Sequence, residues 1–132
     1  MIIFVNPHLQ KEYLKMNETI KSANINRIDR INLMTSATDI KQATNNELKI
    51  VGACIYNDTN VNTGEVKTVG AIKTADGTIY GFTSKTLIDC TDIFIDALKE
   101  GVTEIIATPT QRTSKNGRNF YQFIVKNMVG GE

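Results

Sequence analysis

The sequence predicts a mainly β protein, and three segments support this class. Residues 65–82, EVKTVGAIKTADGTIYGF, alternate in side-chain type on both sides of the Asp-Gly at 76–77, a dipeptide that supplies the positive φ angles of a hairpin turn. Residues 103–128 predict a second pair of strands around the Asn-Gly at 116–117. Between the two pairs, residues 84–101 carry an apolar stripe at helical spacing, bounded by an N-capping serine and a glycine.

Three further segments precede the first hairpin. Residues 48–57, LKIVGACIYN, predict a long and mostly apolar strand, with Gly52 where a bend or a bulge would need it. Residues 30–34, RINLM, predict a short strand. Residues 35–46 are rich in Thr, Ser, Asn and Gln and predict a loop or an irregular segment.

The first residues predict an N-terminal extension, which we place at residues 1–29. Residues 2–5 favour a short strand, and an apolar stripe at helical spacing then predicts a short amphipathic helix that carries Leu9, Tyr13, Met16 and Ile20. This stripe either packs on the domain or docks on a neighbouring copy, which would allow self-association along a bound strand. The remaining residues, 30–132, form the predicted domain.

From residue 47 onward the predicted order is three strands, one helix and two strands. This is the order of the OB fold, a five-stranded, partly open Greek-key barrel that binds oligonucleotides on its second and third strands and in two flanking loops. The hairpin at 65–82 takes that binding position, and the flanking loops are residues 58–64 and 111–118. The element order therefore predicts a domain that binds single-stranded nucleic acid.

The composition gives no global attraction to nucleic acid, because the 132 residues have a formal net charge of only +1. The charges are nevertheless unevenly distributed. Acids concentrate on or just after the predicted helix, at Asp89, Asp92, Asp96, Glu100 and Glu104, whereas residues 111–118 contain none. The two cysteines lack the spacing of a zinc site and predict reduced thiols, and no run is long enough to span a membrane. We therefore expect a cytoplasmic protein, in the host cell if a phage or plasmid encodes it.

The predicted binding face lies on the first hairpin. Its alternation places Lys67 and Lys73 on the face that carries Tyr80 and Phe82. Ammonium groups neutralise phosphates and aromatic rings stack on bases, so this face fits a single strand. The same residue types are also common in any strand and on any solvated face, which is the structural alternative. Residues 111–118 add three cations to the predicted site: Arg112, Lys115 and Arg118.

The chain resembles the small single-stranded DNA-binding proteins of protein-primed phages that infect Gram-positive bacteria. The resemblance is clearest at residues 75–98, ADGTIYGFTSKTLIDCTDIFIDAL, and 113–125, TSKNGRNFYQFIV, and it extends weakly back to about residue 30. It implies sequence-independent coating of displaced strands during DNA replication, without catalysis or cofactor. It also implies that Tyr80, in the ADG-x-x-Tyr motif, and Tyr56 contribute to the binding surface.

Other function classes fit the sequence less well. Asp89, Asp92 and Asp96 have helical spacing, but no histidine or further acid adds metal-ligand spacing, so we predict neither a metal site nor a nuclease. The single histidine lacks a catalytic partner and no phosphate-binding loop motif is present, so we predict no enzyme and no cofactor. A protein-interaction module and a single-stranded RNA-binding protein without a role in replication remain alternatives, since fold does not fix function.

Overall fold

The computed structural model describes residues 17–131. It contains seven strands, two α-helices and one short 3₁₀ helix at Ile40–Ala43. The strands are β1 (Asn17–Ala23), β2 (Thr38–Asp39), β3 (Leu48–Thr59), β4 (Val66–Thr74), β5 (Ile79–Phe82), β6 (Val102–Thr113) and β7 (Asn119–Gly130), and the helices are α1 (Arg27–Ser36) and α2 (Lys85–Lys99). The strand at 2–5 and most of the helix predicted near the N-terminus lie outside the described residues, while Ile20 of that predicted stripe belongs to β1.

All seven strands belong to one curled, half-barrel sheet, so the prediction of a mainly β protein is confirmed. The order along the sheet is β2-β5-β4-β3-β6-β7, and β1 pairs with β3. The central strand β3 contacts three neighbours, because β6 pairs with its first residues and β1 with its second half, while β4 follows its opposite edge. Among the described strands β5 and β7 do not pair, so the half-barrel stays open between them.

The bend in β3 lies at the predicted glycine. The register between β3 and β4 shifts between Ile50 and Gly52, as a bulge requires. A Cβ atom at Gly52 would lie only 2.8 Å from the backbone oxygen of Asn24, where the chain leaves β1. Only glycine therefore allows the β1–α1 connection to pass this close to the central strand.

The core lies on the concave side of the sheet, under α2. Its helix side consists of Leu87, Phe94, Ile95 and Leu98, all at most 6 % exposed. Burial of side chains of this size stabilises a fold by about 1.5–3 kcal/mol each. The sheet side consists of residues from five strands: Ile50, Ile55, Ile72, Phe82, Ile105, Ala107 and Phe123. The helix predicted between the two hairpins is thus confirmed, and its apolar stripe closes the core.

The strand predicted at residues 30–34 is wrong, because these residues lie in α1. The helix begins with a capping box, in which the Asn26 side chain accepts from the Asp29 N–H at 2.8 Å and the Asp29 carboxylate accepts from the Asn26 N–H at 3.1 Å. Leu33 then packs with Ile79 on the convex side of the sheet. Tertiary packing and the cap override the β propensity of the isoleucines.

The predicted loop at 35–46 contains the end of α1, β2 and the 3₁₀ helix. Ile40 and Ala43 of this segment are buried in the core, which the polar composition of the segment did not suggest. The boundary predicted at residue 29 falls inside α1. The division into an extension and a domain stays a prediction.

Candidate nucleic-acid interface

The first hairpin does not have the predicted binding face. Across β4 and β5, Tyr80 lies opposite Ile72, whereas Lys73 lies opposite Ile79. Residues directly opposite each other share a face of a sheet, so Lys73 and Tyr80 are on different faces. The prediction that Lys67 and Lys73 share a face with Tyr80 and Phe82 is therefore wrong.

The geometry of the hairpin turn explains why the lysines and the rings lie on different faces. The amide of Thr74 donates to the Thr78 carbonyl at 2.9 Å and that of Gly77 donates to the Thr74 carbonyl at 2.9 Å, so three residues rather than two lie in the loop. Gly77 alone has a positive φ, of 90°, and Asp76 does not. This is the turn with a glycine in the left-handed region that closes longer hairpins. One additional loop residue shifts the register by one, which moves each side chain of one strand to the other face relative to its partner.

The two aromatic rings of this hairpin face the concave side. Phe82 is 6 % exposed and packs edge-to-face on Phe123, with ring centroids 5.8 Å apart. It belongs to the core and offers no surface to a base. Tyr80 is half-buried against the same core and borders a depression whose lining residues include Glu47, Asp76 and Lys49. Glu47 is paired with Lys126 at 3.5 Å, so no excess of positive charge surrounds Tyr80.

The two lysines of β4 face the convex side. The Lys73 ammonium donates to the buried Asp29 carboxylate at 3.0 Å, so its charge is already paired. Lys67 is exposed and lies across β3 and β4 from Asp58. The ammonium groups and the rings predicted to act together are thus separated by the thickness of the sheet.

Tyr56 lies on the convex side of β3, in a small pocket formed with α1 and β1. It packs near Ile25 and Leu33 and is half-buried. Burial, together with the nearby charge of Asp58, raises the pKa of its hydroxyl to about 12. The neighbouring thiol of Cys54 is buried, which raises its pKa to about 11. Tyr56 is therefore a packing residue in the described part of the chain.

The second hairpin retains the features predicted for it. The described chain carries no Asp or Glu from residue 105 to residue 131. Arg112, Lys115 and Arg118 are all exposed, and none of them forms an ion pair with another described residue. The turn is closed by the Ser114 amide, which donates to the Arg118 carbonyl at 2.8 Å, and by Gly117 at a φ of 78°. The structure thus places three cations at and beside one turn, with no ion-pair partner among residues 17–131.

Phe120 is a further aromatic residue at this hairpin that we did not predict. It lies directly opposite Arg112, so a guanidinium and a ring share one face of the hairpin. The ring is half-buried. Tyr121 lies opposite Gln111 and Phe123 opposite Pro109, so these two side chains leave the other face of β7. The position of Phe120 opposite Arg112 follows from the Asn-Gly of this turn if the loop contains three residues, as in the first hairpin, rather than two.

A cleft of about 660 Å³ opens where β5 and β7 do not meet. We call it the seam cleft. Its walls are residues 37–41 on one side, residues 81–84 at the end of β5, and residues 119–121 at the start of β7. Phe120 and Tyr121 line it, and Lys41 lies at its edge. A volume of this size is within the range of ligand sites, about 300–1,000 Å³.

The acids of α2 lie on another side of the molecule. The Lys21 ammonium on β1 contacts the carboxylates of Asp92 and Asp96 at 2.7 and 2.5 Å, and these contacts raise the pKa of Lys21. Asp89 and Glu100 are exposed on the same helix or directly after it. The predicted separation of an acidic helix from a basic hairpin is therefore present in the described residues.

No family model, curated protein or solved structure matches this chain. Within residues 17–131, no cluster of three or more His, Cys, Asp or Glu side chains could hold a metal ion. Neither of the two helices is long and apolar enough to cross a membrane.

Proposed function

We propose that this chain is a single-stranded DNA-binding protein that coats displaced strands without reading their sequence. The observation that carries the proposal is the stretch from residue 105 to residue 131, which contains no acid and has three exposed cations at its turn and Phe120 across from Arg112. Cations supply phosphate neutralisation that does not depend on sequence, and a ring stacks on any base. A half-buried aromatic ring at the surface favours a single strand, because the bases of a duplex already stack on each other.

The order of the strands supports an OB-type domain. In this interpretation β3 to β7 are the five strands of the barrel, and α2 lies between the third and the fourth, as in that fold. The bent strand β3, which pairs with both β4 and β6, then takes the place of the first barrel strand. β1, α1 and β2 are additions to this plan. The proposed role in DNA replication rests on the resemblance of residues 75–98 and 113–125 to phage proteins in the sequence alone.

The first test is a tyrosine-fluorescence titration with oligo-dT, with a duplex of the same length and with oligo-rU, each at several salt concentrations. The four tyrosines are not accompanied by tryptophan, so their signal is not masked. We expect quenching by oligo-dT and little change with the duplex. Equal affinity for oligo-rU would favour the RNA-binding alternative. No binding at low salt would refute the proposal and favour a protein-interaction module.

The second test removes the charges of the turn. Each neutralised phosphate contact contributes about 0.7 to the salt slope for a single strand, so replacement of Arg112, Lys115 and Arg118 by glutamine should flatten that slope by about 2. The matched control is Lys99→Gln, which removes an exposed cation from the acidic helix and should leave the slope unchanged. A triple variant with the wild-type slope would exclude the turn from the interface.

A further inference from the structure

We infer that the bound strand runs through the seam cleft, and not over the convex face of β4 and β5, and this inference rests on the proposed function. The two paths lie on different parts of the sheet. The convex path would use Tyr56, Lys67 and Lys73, while the seam path uses Phe120, Arg112 and Lys41. The arrangement of side chains decides between them.

The convex face is already occupied. Leu33 of α1 packs there with Cys54, Ala71 and Ile79 and buries all of them. Asp29 of the same helix pairs with Lys73 at 3.0 Å. The ring of Tyr56 is half-buried at the edge of α1. A DNA strand on this face would have to displace α1, together with the ion pair between Asp29 and Lys73, before it reached the ring of Tyr56.

The seam cleft needs no such displacement. Its wall on β7 includes Phe120 and Tyr121, and its opposite wall includes Thr38 and Lys41. Asp39 is the one acid among the residues that line it, and its carboxylate accepts from the Lys41 N–H at 3.0 Å. The cleft therefore offers aromatic and hydrogen-bonding residues, while Lys41 and Asp39 carry opposite charges, so the positive charge that a sequence-tolerant site requires comes from the adjoining turn.

The cleft also continues into the basic turn. Asn119 lines the cleft and directly follows Arg118, while Arg112 lies across the hairpin from Phe120. A base that stacks on Phe120 thus has guanidinium groups beside it for the flanking phosphates. The same strand can engage the turn and the cleft at once, since both belong to one rigid hairpin.

The cleft can be tested with two variants and one control. Phe120→Leu keeps an apolar side chain but removes the ring, and Gly81→Leu adds a side chain to the wall. The added Cβ at Gly81 has only the Cβ of Ala37 within 4 Å, at 3.6 Å, and both residues line the cleft, so a Cβ fits at this wall. The control is Tyr80→Leu, which removes a half-buried ring that does not line the cleft.

We expect Phe120→Leu to weaken binding of oligo-dT about 5- to 150-fold, the range that corresponds to one lost base stack, and Gly81→Leu to weaken it as well. Tyr80→Leu should change affinity less than the seam variants do. A second measurement uses the wild-type protein: oligonucleotides with 5-iodouracil are photo-crosslinked and the adducts mapped by mass spectrometry. We expect adducts at Phe120 or Tyr121.

Two outcomes overturn the inference separately from the proposed function. Adducts at Tyr56 or Tyr80 in the wild type, or seam variants that bind as tightly as the wild type, would show that the strand takes another path while DNA binding stands. A wild-type protein that binds no single strand would refute the proposed function, and the seam path with it.

Discussion

The ion pair between Lys73 and Asp29 makes a prediction that separates a structural lysine from a DNA-binding one. The Asp29 carboxylate is 6 % exposed as a residue and accepts from the Lys73 ammonium at 3.0 Å and from the Asn26 N–H at 3.1 Å. Lys73→Met keeps most of the side-chain volume and removes the charge. It leaves a carboxylate that is buried and only partly satisfied.

The expected magnitude follows from these contacts. Removal of one partner from a buried pair costs about 3–5 kcal/mol. The Lys73 side chain is 24 % exposed, and Asp29 keeps its bond to the Asn26 amide, so solvent and the cap reduce the loss to about 2–3 kcal/mol. Asp29→Ala should cost about as much, because it also removes the capping box, which contributes about 1 kcal/mol. The double variant should cost less than the sum of the two single variants.

The assay is urea unfolding followed by far-UV circular dichroism for the wild type, both single variants and the double variant. Lys67→Met is the matched control, since Lys67 is exposed on the same face of the same strand. We expect it to change stability by less than about 0.5 kcal/mol. If Lys73→Met unfolds at the wild-type urea concentration and instead flattens the salt slope of DNA binding, Lys73 is a phosphate contact and our account of the convex face is wrong.

Two further predictions concern titratable groups. Cys54 is buried and Cys90 is half-buried, and burial raises the thiol pKa of both. At about pH 8 a thiol reagent should therefore modify Cys90 first, and Cys54 only on unfolding. Rapid modification of both cysteines in the folded state would contradict this packing. The pKa of Tyr56 is raised to about 12, so spectrophotometric titration should find one tyrosine that ionises last, and Tyr56→Phe should remove it. Because the folded state holds that proton more tightly, its contribution to stability is complete below about pH 10 and is lost as the pH rises towards 12.

The parts of the fold that the sequence predicts well are those with a strong local pattern. The helix α2 has a continuous apolar stripe, and β6 alternates between more and less buried residues up to the second glycine turn. Gly52 identifies the bulge in β3 because no larger residue fits beside Asn24. In these segments local preference and tertiary packing favour the same structure.

The helix α1 is less predictable because apolar residues lie on its exposed face and a charged residue lies on its buried face. Ile28 and Ile31 are 68 % and 61 % exposed, whereas the charged Asp29 is buried. A hydrophobic pattern therefore points to the wrong face of the helix. The remaining sequence signal for the start of α1 is the capping box from Asn26 to Asp29. A prediction based on this motif would have had to place the Asp29 carboxylate inside the protein.

The position of the proposed binding site depends on one residue in each hairpin turn. In both turns a glycine with positive φ is the last residue of a three-residue loop: Thr74 pairs with Thr78, and Ser114 with Arg118. In the first hairpin this register turns the rings to the core and Lys73 to α1. In the second, the same register places Arg112 opposite Phe120, at the edge of the open seam. Both hairpins carry aromatic residues and cations in sequence, but only the second brings an aromatic ring and an unpaired cation onto one face.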